Sequence, residues 1–101
     1  MTMSVRVTVT ARGPGNLKRT IVEAIRSGEL RTFEAYDRGG KLRHKQRATH
    51  PGYIKLDWRA PELVAEVRGR GEESQLLGSF VSRLHARFGD RIESVTLRFG
   101  T

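Results

Sequence analysis

LRTFEAYDRGGKLRHKQR, residues 30–47, lies between two segments of helical period and continues neither. LRTFEAYD alternates as a strand, DRGGK supplies a hairpin turn between Asp37 and Lys41, and KLRHKQR reads as the returning arm. THPG interrupts the pattern, then YIKLDW turns Ile54, Leu56 and Trp58 to one side. ELVAEVR adds a further strand through Leu63, Ala65 and Val67. Pro51 and Pro61 fall outside these strands, where a missing amide proton breaks no ladder.

Before this region, SVRVTVTA places Val5, Val7 and Val9 on one face and Arg6, Thr8 and Thr10 on the other. RGPGN then turns the chain, and Asn16 caps a helix running to about Ser27, with Leu17, Ile21, Ala24 and Ile25 on one side and Gly28 to end it. After ELVAEVR, the turn GRGEE leads into a helix over Glu73–Phe88. Leu76, Phe80, Leu84 and Phe88 recur every four residues, and Leu77 and Val81 widen the stripe. Glu72 and Glu73 suit the N-terminal end of that helix, Arg83 and Arg87 its C-terminal end. RIESVTLRFG closes the chain as a strand with Val95, Leu97 and Phe99 in phase.

The order is therefore strand, helix, four strands, helix, strand. Each helix has one apolar stripe, so the arrangement that buries both is an α+β sandwich: two helices on one face of a mostly antiparallel sheet of five or six strands. An elaborated ferredoxin-like topology with an added hairpin fits this order, and residues 1–101 are expected to form one domain. The C-terminal strand is a candidate edge for dimerisation.

The absence of cysteine excludes disulfides, thiolate nucleophiles and Cys-based metal sites in this chain. No apolar run approaches the roughly 20 residues of a membrane-spanning helix, and MTMSVRVTVTAR lacks the pattern of a secretory leader, so a cytoplasmic location without a membrane partner is expected. The net charge is +8, and it is segregated. Residues 1–56 hold twelve Lys or Arg against four Asp or Glu, whereas residues 57–101 hold seven of each. A field of this kind draws polyanions.

The basic hairpin is the leading candidate site. Lys41, Arg43, Lys45 and Arg47 fall at period two, so a regular strand presents four cations on one face, with Leu42, His44 and Gln46 on the other. Arg38 in the turn and Lys55 on the next strand extend this phosphate-binding ribbon, and Tyr53 or Tyr36 offers a stacking surface. RNA, single-stranded DNA and a duplex major groove all suit such a ribbon. A second candidate is an anion site at the first helix start, formed by Gly15 and Asn16 with Lys18 and Arg19, although the spacing is not that of a phosphate-binding loop.

These residues lead to the expectation of a small nucleic-acid-binding accessory protein with no cofactor or metal; catalysis is left open, as phosphodiester cleavage of RNA. The first alternative is a homo-oligomeric structural or regulatory module with an acidic protein partner. The second is a metal-independent ribonuclease cleaving RNA phosphodiesters, with His44, His50 or Glu34 as acid and base and Lys45 or Arg47 stabilising charge. For Glu34 the competing reading is a cross-strand ion pair; His85 reads as a boundary residue of the second helix. Asp37, His44, His50 and Asp57 do not have the spacing of a known metal-binding motif.

Overall fold

Alternation and helical period translate directly into the architecture. A computed structural model describes residues 3–69 and 73–100. Among them the chain runs β1 (Met3–Ala11), α1 (Leu17–Arg26), β2 (Phe33–Tyr36), β3 (Lys41–His44), β4 (Tyr53–Arg59), β5 (Glu62–Gly69), α2 (Glu73–Phe88) and β6 (Ile92–Gly100). The six strands form one sheet in the order β2-β3-β4-β5-β1-β6, with every pairing antiparallel. The charges expected on Arg70, Glu72 and the Glu73 side chain lie outside the described residues.

Local chemistry sets the element ends. Asn16 Oδ1 accepts the Arg19 amide at 3.0 Å, which satisfies one of the free donors at the start of α1. The Ser27 amide returns to the Glu23 carbonyl, and Gly28 follows at φ +86°, a conformation that favours glycine. Between β2 and β3, the Gly40 amide closes on the Asp37 carbonyl at 2.9 Å, with Arg38 and Gly39 both at positive φ, as in a type I′ turn.

Val5, Val7 and Val9 of β1, Leu42 of β3, Ile54 and Leu56 of β4, and Leu63, Ala65 and Val67 of β5 are all buried on one face. Leu17 and Ile21 of α1 and Leu76, Phe80, Leu84 and Phe88 of α2 close over them. Burying each large side chain is worth about 1.5–3 kcal/mol, so this two-layer contact dominates the stability. Phe80 meets Phe33 edge to face at 6.2 Å between ring centroids. Trp58 is half-buried against the same core, and Tyr53 points to the opposite face. His85 is exposed.

The returning arm is shorter than KLRHKQR implies, because β3 ends at His44. The cause is the histidine itself. Its Nδ1 accepts the Gln46 amide at 2.9 Å, removing that donor from the ladder, and the His50 amide then closes a turn onto the Gln46 carbonyl.

Candidate nucleic-acid interface

Because the apolar stripes of both helices meet one face of the sheet, the other face is open among the described residues, and the strand registers decide which side chains share it. Tyr36 lies opposite Lys41, Lys41 opposite Lys55, and Lys55 opposite Glu66. Glu66 in turn lies opposite Arg6, and Arg6 opposite Arg98. One row of side chains thus crosses all six strands, a width of about 24 Å at the usual strand spacing. Beside it, Tyr53, Arg68 and Ser4 form part of a second row.

Like charges stand directly opposite each other twice in the first row, at Lys41 with Lys55 and at Arg6 with Arg98. Such pairs oppose folding by a few tenths of a kcal/mol to about 1 kcal/mol each. Glu66 sits between the two pairs, but its carboxylate is engaged by Arg68, whose Nε donates to Oε1 at 2.8 Å. That hydrogen bond, reinforced by the charge of Glu66, raises the Arg68 pKa further above its ordinary value. Asp37 is 3.9 Å from Lys41 at an exposed position, where screening leaves little attraction.

The opposite end of the face is balanced. There Arg59 donates to Asp57 at 2.8 Å and lies across from Glu62. The face is therefore polarised, with its excess positive charge on the Lys41, Lys55, Arg6 and Arg98 row. Two aromatic rings flank this region: the Lys41 ammonium lies 5.3 Å from the Tyr53 ring centre and the Arg43 guanidinium 5.0 Å from that of Tyr36.

Of the residues expected in the basic ribbon, Lys41, Arg43, Tyr53 and Lys55 share this face by alternation. Lys45 and Arg47 do not continue it as strand residues, since β3 has already ended. Lys45 instead lines a cleft with His44, and Arg47 reaches back to Glu34 at 3.8 Å. Glu34 is also 3.4 Å from Arg43, so it sits in a cross-strand ion pair.

Arg38 turns away toward α1, where with Asn16, Lys18, Arg19 and Arg26 it lines an open cleft of about 440 Å³. Gly15, at φ +117°, precedes the cap, but the Asn16 side chain already occupies the Arg19 amide that an anion would use. Arg6, Arg68 and Arg98 were not among the expected site residues. Their sequence signal is strand phase: Arg6 alternates with Val5, Val7 and Val9, and Arg98 with Val95, Leu97 and Phe99, so both face away from the apolar side.

His44 and His50 come together on the other side of the sheet. Their rings stack with centroids 3.9 Å apart and planes inclined by 9°, and their cleft is also lined by Arg31, Lys45, Ser79 and Arg83. Burial, then the neighbouring His50 and Arg83, hold the His44 pKa below its ordinary value. Rings in face-to-face contact leave no space for a phosphodiester between them, and His44 Nδ1 is already an acceptor for Gln46. Among the described residues, no three His, Asp or Glu side chains gather as a metal-binding group, and no helix is long and apolar enough to cross a membrane. Compared with protein-family models, curated proteins and solved structures, the chain matches none.

Proposed function

We propose that the open sheet face binds the sugar–phosphate backbone of single-stranded nucleic acid, with Lys41, Lys55, Arg6 and Arg98 as phosphate contacts and Tyr53 beside them as a stacking surface. The observation that carries this reading is the pair of like-charge oppositions in one row. They weaken the free protein, and a polyanion lying across the row relieves both at once. The shape of the face favours a single strand. A surface about 24 Å wide cannot enter a major groove about 12 Å wide, whereas a flexible strand can lie across it.

The scaffold fits the same reading. The sheet segment β4-β5-β1-β6, with a helix after β1 and another after β5, supports a ferredoxin-like core extended by the β2–β3 hairpin. In this reading the hairpin adds Lys41 and Arg43 to the basic face, and the role is that of a binding accessory, not a catalyst.

Fluorescence anisotropy with labelled single-stranded RNA, single-stranded DNA and duplex DNA across a salt series is the test. Saturable binding that favours single strands and weakens as salt rises supports the proposal. Absence of binding to all three at low salt, by protein shown to be folded, overturns it.

A further inference from the structure

The sheet is wider than its helical layer. A helix about 10 Å across covers roughly two strands spaced about 4.8 Å apart, so two helices cover about four of six. Here α1 packs on β2 and β4 and so spans β3 between them, where Leu42 is buried, while α2 packs on β5 and β1. The remainder falls on β6. Val95, Leu97 and Phe99 pair with Val9, Val7 and Val5 and so share their apolar face. Yet the β1 valines are buried, whereas Val95, Leu97 and Phe99 are 38%, 39% and 72% exposed.

The flank of α2 nearest β6 continues this apolar strip. Ser79 and Arg83 line the His44 cleft, which places that flank of α2 toward β3. Helical geometry puts the half-buried Leu77 and Val81 on the other flank, toward β6.

The two sheet edges also differ. β2 is four residues long and carries Glu34 in its ion pairs, features that discourage further pairing. β6 is nine residues long, has no proline, and departs from a regular ladder only at the Thr10/Ala11 end. Edges of this length and apolarity are rarely left unprotected.

We infer that β6 is the seam of a homodimer, in which β6 of a second copy pairs antiparallel to it about a two-fold axis normal to the sheet. Such an axis keeps the apolar residues of both copies on one side. Centred on Leu97, it sets Leu97 against itself, Val95 against Phe99, and, on the open face, Thr96 against Arg98. Moving the axis to Arg98 would face two guanidiniums, so charge selects against that register. Within a chain of net charge +8, β6 itself carries one Glu and one Arg, so a second copy approaches at a locally neutral strand. Both open faces then lie on one side with Arg6 and Arg98 near the seam, a consequence that rests on the phosphate-binding reading as the seam itself does not.

Sedimentation equilibrium of the nucleic-acid-free protein, from low to high micromolar concentration, tests the seam independently of any ligand. The expected result is a monomer–dimer equilibrium whose dissociation constant rises roughly thirtyfold or more in Leu97→Lys and in Phe99→Lys, the scale of losing a central contact, with an unchanged circular dichroism spectrum. Mixed-label NMR on the wild-type protein, showing Leu97 methyl contacts between copies, supports the same seam without a variant. A chain that stays monomeric throughout overturns the inference and leaves this face to a different protein. A dimer unaffected by either substitution in folded protein, or lacking the Leu97 contacts, overturns β6 as its seam.

Discussion

Arg6 and Arg98 stand directly opposite one another across β1 and β6, on the face of the sheet turned away from α1 and α2. Because β6 lies at the sheet edge, its one neighbour is β1, and among the described residues the position across from Arg98 is Arg6 and not a carboxylate. Substituting Arg98→Thr removes the repulsion and introduces a residue that suits a strand. The free protein is expected to gain about 0.2–1 kcal/mol in urea unfolding at low salt, and the gain should shrink at high salt as screening grows. The same variant should bind single strands more weakly. A variant that loses both stability and affinity would show that Arg98 supports the fold instead of straining it.

Salt dependence separates the open face from the rest of the basic segment. If Lys41, Lys55, Arg6 and Arg98 each meet a phosphate of a single strand, log K against log salt should have a slope of roughly −3, and Lys41→Gln with Lys55→Gln should reduce it by about 1.4. Lys45→Gln with Arg47→Gln should leave the slope near wild type, because Lys45 lines the His44 cleft and Arg47 is drawn to Glu34. Equal effects from the two double variants would contradict the division between face and loop.

The elements were legible where one period persisted. The valine alternation of β1, the Asn16 cap and the four-residue apolar repeat of α2 each involve neighbours along the chain, so local chemistry settles them. The proposed phosphate row depends on register between strands far apart in sequence, which no local pattern encodes; phase alone places Arg6 and Arg98 outward but not opposite each other. The end of β3 is illegible for another reason. A buried imidazole diverts a backbone amide there, and KLRHKQR retains its alternation in sequence although the ladder has stopped.

His44 connects that local detail to pH. Its pKa is lowered by burial, then by His50 and Arg83, and Arg31 and Lys45 add positive charge around the cleft, which no carboxylate lines among the described residues. The unfolded chain therefore binds a proton at this site at a higher pH than the folded chain does. The resulting contribution is intact above the ordinary histidine value of 6.5 and is lost as pH falls from there through the lowered folded pKa. An NMR titration should place the His44 midpoint below 6.5, and the melting temperature should fall over that same window. A midpoint at or above 6.5 would mean that the ring is not buried against its cationic neighbours as described.

Gly52 has a structural requirement that the turn-like THPG stretch does not disclose. It precedes β4 at φ +107°, and a Cβ built there would collide with the Arg68 carbonyl oxygen and lie 2.9 Å from Gly69 Cα. Two separate penalties meet at this position: a conformation that side chains rarely adopt, and backbone of β5 where the side chain would go. Neither obstacle is a flexible side-chain tip, so relief requires moving the start of β4 away from β5. Because Tyr53 pairs with Arg68 in the next register position, that movement would also disturb the second row of the open face. Gly52→Ala is thus expected to cost at least about 1–3 kcal/mol in urea unfolding, the scale of a strained backbone position, and to weaken single-strand binding in the fraction that remains folded. Amide exchange provides the local readout: Tyr53 and Ile54 should lose protection relative to Val7 and Val9, which lie farther from the collision. Retention of wild-type stability and of protection at Tyr53 would mean that the approach of Gly52 to β5 is looser than this geometry requires.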